Sequence, residues 1–166
     1  MKNVILIGMS LSGKSTLGFR LAERIGYKFL DTDKIISKNE KMTVKDIFKI
    51  KGEEYFRNLE SDFIDKIPED QSLLISTGGG MPIYNNNLYK LKKKGKVVFL
   101  NVPMELLLLR AKHIKDRPLL KGNYKEKMQE LYNQRESIYN KADIIVDLEE
   151  NIDENLNKLI NKLRLG

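Results

Sequence analysis

The sequence predicts an α/β fold, a three-layer sandwich around a five-stranded parallel sheet. Three observations predict it. Five short apolar runs alternate with longer amphipathic stretches along the 166 residues, as parallel strands do with their helical crossovers. Residues with evident chemistry fall just after the apolar runs, where open parallel sheets bind ligands. The length fits one domain, residues 1–166, with no low-complexity linker and no internal repeat of about 20 to 50 residues.

Each element follows from its pattern. Asn3 to Ile7 reads as a buried strand. Ser15 to Ile25 is helical, with Leu17, Leu21, Ala22 and Ile25 on one face. Lys28 to Leu30 is a short strand. Asp33 to Glu40 and Val44 to Lys66 read as helix, with Thr43 as N-cap of the second, Asp46 completing a box-like pattern, and Gly52 dividing it. Ser72 to Ser76 is a strand, Tyr84 to Lys94 a helix, and Lys96 to Val102 a strand. Pro103 to Lys112 is a helix opened by proline. Asp116 to Gly122 reads as loop, Tyr124 to Lys141 as helix, Asp143 to Asp147 as strand, and Ile152 to Leu163 as a closing helix.

Composition removes several functional classes. Hydrophobic residues are 41% and charged residues 32% of the chain, which excludes disordered and fibrous proteins. The absence of cysteine excludes a disulfide framework and a thiolate metal site, and suits a reducing compartment. The single histidine, His113, excludes a histidine-cluster metal site and is assigned no role. No apolar run approaches the roughly 18 residues of a membrane span. Met1-Lys2-Asn3 leads straight into Val4, with no signal or transit segment. A cytoplasmic protein is expected, with no membrane partner. Nothing marks a large apolar interface, so a monomer is the default.

The net charge is +7, from 23 lysines and 7 arginines against 23 acidic residues. The tight cluster Lys92, Lys93, Lys94 and Lys96 has no interleaved aromatics. It reads as a solvated helix end, and no nucleic-acid partner is expected. Arginine is scarce, and in a lysine-rich chain its presence points to a need for the planar bidentate fork. Arg57, Arg110, Arg117 and Arg135 are the arginines that matter below.

Gly8-Met9-Ser10-Leu11-Ser12-Gly13-Lys14-Ser15 matches the phosphate-binding P-loop pattern, between a strand and a helix as the pattern requires. Its glycines let backbone N–H groups curl around phosphate oxygens, and the helix N-terminus adds its positive end. Lys14 is placed to reach the β- and γ-phosphates of a nucleotide, and Ser15 to ligate Mg²⁺. Asp31-Thr32-Asp33 follows the second strand. Spacing of two in an extended segment puts both carboxylates on one face. One would hold Mg²⁺ through water while the other takes a proton from an acceptor hydroxyl; alternatively, one simply caps the next helix. Gly78-Gly79-Gly80 follows the third strand and allows a ligand to approach the backbone closely. In Phe56-Arg57-Asn58-Leu59-Glu60, Arg57 would grip a carboxylate with Glu60 orienting it; alone, the pair reads as a surface ion pair worth under about 1 kcal/mol. Arg117-Pro118-Leu119-Leu120 lies in a polar stretch without periodicity, as a lid carrying a cation would.

Taken together, these motifs resemble the shikimate kinase family from Asn3 to about Leu163, in order and spacing, with Leu131-Tyr132-Asn133-Gln134-Arg135 as the last of them. The resemblance implies a nucleoside-monophosphate-kinase-like P-loop fold, with a substrate-binding region at about 33–62 and a lid at about 112–123. It implies transfer of the ATP γ-phosphoryl to the 3-hydroxyl of shikimate, in aromatic amino acid biosynthesis. It assigns Asp33 as base and Asp31 to the outer shell of Mg²⁺. Arg57 and Arg135 would clamp the shikimate carboxylate, with Gly78, Gly79 and Gly80 beside them. Ser10, Leu11, Ser12 and Thr16 would join Gly8, Gly13, Lys14 and Ser15 in holding ATP, Arg110 would pack on the adenine, and Arg117 would swing in to the phosphates. One departure stands out. The family commonly has glycine at the position of Leu11, and leucine resists positive φ. A working loop with altered local packing is expected.

Two other readings compete. A kinase for another hydroxy acid, such as gluconate, would use the same loop and aspartates; turnover of gluconate faster than shikimate would favour it. A non-catalytic nucleotide-binding module, or a basic RNA-binding protein, is the rival from another class. The presence of Lys14, Ser15, Asp31, Asp33 and Arg117 together argues against the former, and the lack of an aromatic-rich motif against the latter.

Overall fold

The computed structural model describes residues 2–114 and 123–165. Five parallel strands form one sheet in the order β2-β3-β1-β4-β5. They are β1 (Asn3–Ile7), β2 (Lys28–Asp31), β3 (Leu73–Ser76), β4 (Gly95–Asn101) and β5 (Ile144–Asp147). β1 and β3 are buried along their whole length, so apart from Asn3 and Ser76 at their ends they read as apolar runs, as strands covered on both faces do. The helices are α1 (Lys14–Ile25), α2 (Thr32–Glu40), α3 (Val44–Lys51), α4 (Glu53–Lys66), α5 (Asn87–Lys94), α6 (Met104–Lys112), α7 (Tyr124–Tyr139) and α8 (Ile152–Leu165).

The strand order turns at β1, because the chain moves to one side for β2 and β3 and to the other for β4 and β5. The crevice at the carboxyl end of β1 is thus the place where such a sheet binds ligands. α1 lies close on the sheet because Gly18 has no side chain. A Cβ there would stand 3.0 Å from both Leu6 and Phe29 and 3.2 Å from Leu74. That close fit fixes where the loop before α1 meets the strand ends.

The main core joins the strands to α1, α5 and α8 through residues such as Ile5, Leu21, Leu74, Leu91, Phe99 and Leu159. A second, small core of Ile36, Ile47 and Phe56 lies apart, among α2, α3 and α4. Thr43 caps α3, accepting from the Asp46 amide at 3.1 Å, and Gly52 separates α3 from α4 at φ 90.

Three sequence expectations need correcting. α5 begins at Asn87, not Tyr84, because Asn85 and Asn86 adopt φ of 52 and 57, and a helix cannot run through left-handed residues. α7 ends at Tyr139, with a turn at Asn140. Asp33 is not in extended backbone but in the first turn of α2. Lys92, Lys93 and Lys94 of the lysine cluster end α5 as expected, with Lys92 3.5 Å from Asp143 and Lys94 3.9 Å from Glu69, while Lys96 lies in β4.

Candidate active site

The loop between β1 and α1 is built to expose backbone donors. α1 starts at Gly13 with no side chain capping it and no acidic residue in its first turn. By contrast α2 and α3 are capped by Asp31 and Thr43. The start of α1 therefore offers its amides and its positive end to a ligand. Gly8 sits at φ 147 with its Cα against the Leu100 carbonyl, where a Cβ would come within 2.8 Å. Lys14 is buried and donates to the carbonyls of Gly8 (2.8 Å) and Met9 (2.7 Å) and to Ser12 Oγ (3.2 Å).

A polar cavity of about 330 Å³ opens in front of this loop. Ser10, Lys14, Ser15, Asp31, Asp33 and Gly79 are on its wall, with Leu11, Gly13, Thr16 and Gly78. A second cavity of about 440 Å³ lies past Leu11, Gly13 and Thr16, which line both. Arg110, Leu148 and Ile152 give this second space a more apolar lining suited to a flat base. The 148–151 turn beside it carries little signal in sequence. It is fixed by buried Asn155, whose side chain accepts from the Glu149 amide (2.9 Å) and donates to the Glu149 carbonyl (2.8 Å).

The two aspartates divide two tasks. Asp31 caps the helix, the plainer of the roles that sequence offered, and keeps its second oxygen on the phosphate-loop serine. Its Oδ1 caps α2 through the Lys34 amide (3.2 Å), and its Oδ2 accepts from Ser15 Oγ (2.7 Å). Asp33 is half-buried, and its Oδ1 has no hydrogen-bond partner among the described residues. Burial, then the charge of Asp31, raises its pKa, against the pull of Lys14 and Arg57.

The glycine triplet explains itself by what packs on it. A Cβ at Gly78 would fall 2.6 Å from Asp33 Oδ1, one at Gly79 3.1 Å from Arg135 Nη1, and one at Gly80 2.5 Å from Arg57 Nη1. Each glycine makes room for one charged side chain. Tyr139, fully buried and stacked on Phe99 at 5.0 Å, holds the triplet by donating to the Gly79 carbonyl at 2.6 Å. Burial pushes its phenol up to about 12, although Arg135 and Arg57 work against this. Tyr139 is a site residue that the sequence reading missed, since its apolar neighbours at helical spacing mark it as core.

Arg57 and Glu60 are not a surface pair. Glu60 is 0% exposed, and Arg57 Nη1 donates to its Oε1 at 2.7 Å. Arg57 also meets Glu53 at 3.3 Å and lies 4.1 Å from the Tyr84 ring centroid. Burial pushes the Glu60 carboxyl up to about 7, with Arg57 opposing, Asp33 adding and Arg135 opposing. Its Oε2 has no hydrogen-bond partner among the described residues. Arg135 is buried at 8% exposure and forms no ion pair among the described residues. A buried guanidinium outside any ion pair has donors that could receive an anion. Arg135 packs on Gly79, which lines the polar cavity, and Arg57 on the adjoining Gly80, which does not; neither arginine lines the cavity itself. Arg117 lies outside the described residues, as does most of the expected lid.

A P-loop, an unpartnered carboxylate facing it, and two guanidinium groups across a glycine segment define the class: a P-loop kinase for a small anionic acceptor. A family model described as shikimate kinase matches residues 11–164. A shikimate kinase of Clostridium botulinum (strain Langeland) is 49% identical over 148 residues, covering 88% of this chain and 87% of that protein. The shikimate kinase of Acinetobacter baumannii, solved in complex with shikimate, is 34% identical with a TM-score of 0.89, over 99% of this chain and 93% of that one. A gluconokinase from Sinorhizobium meliloti 1021, 19% identical with a TM-score of 0.62 over 99% of this chain and 93% of its own, shares the fold alone. The chain belongs to the shikimate kinase family.

Proposed function

We propose that this enzyme transfers the γ-phosphoryl of ATP to the 3-hydroxyl of shikimate, with Asp33 as the base. One observation carries the assignment of the base: Asp33 lines the wall shared with Lys14 and Ser15, and its Oδ1, buried against Gly78, has no hydrogen-bond partner among the described residues. An acceptor hydroxyl needs such an oxygen beside the phosphate loop. The hydroxyl oxygen bonds to the γ-phosphorus, the bond to the β–γ bridging oxygen breaks, ADP leaves, and the hydroxyl proton passes to Asp33. The raised pKa of Asp33 makes it a stronger proton acceptor than an exposed carboxylate.

The loop amides, the start of α1 and Lys14 hold the phosphates and offset their charge, as phosphoryl transfer demands. Arg57 and Arg135 take the shikimate carboxylate between them. Arg110 takes the base, and Arg117 is assigned to the phosphates on the sequence pattern alone. The α2–α4 segment, with its separate small core, supports a substrate-binding region at about 33–62.

Mg²⁺ fits the side chains present. Among the described residues no cluster of three or more acidic or histidine side chains could hold a metal unaided. Ser15 Oγ and Asp31 Oδ2, 2.7 Å apart, suit an ion that keeps several waters and takes its other ligands from phosphates. When bound, it would neutralise phosphate charge. The enzyme is read as a cytoplasmic monomer with small-molecule partners only, on its composition. The test is ADP formation from Mg²⁺–ATP with shikimate, with gluconate and with neither. Shikimate-dependent turnover is expected; faster turnover of gluconate, or hydrolysis indifferent to shikimate, would overturn the reading.

A further inference from the structure

Leu11 adopts φ 70, in the left-handed region that is strained for a non-glycine residue and persists only where its surroundings impose it. The Ser12 amide closes a turn on the Met9 carbonyl at 3.2 Å with Leu11 at its third position, and one side chain is in place to hold that turn. Arg110, at the last turn of α6, donates from Nη1 to the Leu11 carbonyl at 2.7 Å, across 99 positions of sequence. Arg110 forms no ion pair among the described residues. It is half-buried and lines the second cavity, while Leu11 lines both. Lys14 already holds the carbonyls of Gly8 and Met9. With Arg110 on Leu11, three carbonyls of the loop are held by cations, and the Ser12 amide donates to the Met9 carbonyl at 3.2 Å, which leaves the other amides of the loop for a phosphate.

We propose that Arg110 is a positioning residue for the phosphate loop: its hydrogen bond to the Leu11 carbonyl locks a leucine into the conformation that glycine would adopt unaided. This rests on the nucleotide reading above and goes beyond contact with a base. In a kinase with glycine at this position the lock has nothing to do. Here the loop and the arginine form one unit, and losing the arginine disorders phosphate binding as well as base binding.

The test is a four-member cycle of native chain, Arg110→Ala, Leu11→Gly and the double variant, each checked for an unchanged melting temperature. Calorimetric titration with ADP, and with inorganic tripolyphosphate, which has no base to stack, reads the loop directly. Arg110→Ala is expected to weaken ADP about tenfold with Leu11 present, and at least about threefold less than that in the Leu11→Gly background. Tripolyphosphate follows the same pattern, and kcat falls with Arg110→Ala and recovers in the double variant. Equal losses in both backgrounds would overturn the lock while leaving the nucleotide reading intact. No binding of ADP by the native chain would overturn the nucleotide reading and the lock with it.

Discussion

The phosphate side and the acceptor side of this site are built in opposite ways. The phosphate side is one continuous loop, Gly8 to Ser15, set between β1 and α1 on the main core. Its ligand-facing groups are largely backbone. The acceptor side is assembled from side chains of α2, α4 and α7 against the glycine triplet after β3, and α2 and α4 rest on the small core of Ile36, Ile47 and Phe56. Backbone donors come with the fold and are hard to remove by mutation. Side-chain receptors depend on each partner, so single substitutions should act there selectively.

The largest effect is expected at the junction of the two sides. Asp33→Asn removes the unpartnered carboxylate and leaves the loop untouched. A fall in kcat of ~10²–10⁴ is expected while ADP still binds in titration. Near-normal turnover would remove Asp33 as base. Next comes Arg57→Ala, which strands Glu60 in a fully buried place without its 2.7 Å partner. Breaking such a pair costs about 3–5 kcal/mol, so the melting temperature should drop and shikimate binding should fail together. Arg57→Lys keeps the charge and loses the fork. It should raise the KM for shikimate and leave that for ATP nearly unchanged. Equal changes in both would mean that the two sides are not independent.

Gly80→Ala sharpens the same comparison at smaller amplitude. Its Cβ would stand 2.5 Å from Arg57 Nη1 and 2.8 Å from Cζ, so the guanidinium must shift. A rise of roughly tenfold in the shikimate KM is expected, below the ~10²-fold that a 1 Å misplacement can cost, because the guanidinium is the flexible end of a side chain. Gly79→Ala should disturb both sides, because its Cβ would meet Ser10 N at 3.2 Å as well as Arg135 at 3.1 Å. Steady-state KM values for each substrate separate the two cases.

How much of this was legible follows from how each part is made. The strands and the loop are local patterns, and five apolar runs with a Gly-Lys-Ser turn give them away. The burial of Glu60 was not legible. A charged residue three positions from an arginine on a helix looks like a solvated pair; only α4 packing its face inward at Phe56, Glu60 and Ile64 makes it a core charge. Tyr139 failed for the converse reason, since its hydroxyl contact with Gly79 spans 60 positions. The meaning of the three glycines was half legible. Sequence indicates close approach, but not that each faces a different charged side chain. Leu11 was expected to resist positive φ, and it adopts φ 70 in a turn closed by the Ser12 amide on the Met9 carbonyl; the Arg110 contact on its carbonyl, 99 positions away, was not legible either.

The smallest expected effect is one of pH, and it isolates the acceptor side. Glu60 is raised from 4.5 to about 7 in the folded chain, mainly by burial. Between those two values the native state holds a proton that the unfolded chain has released. Stability therefore falls as pH rises from about 4.5 to 7, and levels off above. Oε2, without a partner among the described residues, is the oxygen open to that proton, since Oε1 accepts from Arg57. Asp33 is raised too and contributes in the same direction, so the native curve alone does not isolate Glu60. The difference between native chain and Glu60→Gln does, because glutamine keeps the shape and an acceptor for Arg57 but does not titrate. Melting temperatures from pH 5 to 8 should show the native chain losing stability relative to Glu60→Gln as pH rises. Parallel curves would mean that Arg57 keeps Glu60 ionised throughout, and that the acceptor side carries a full ion pair at every pH of use.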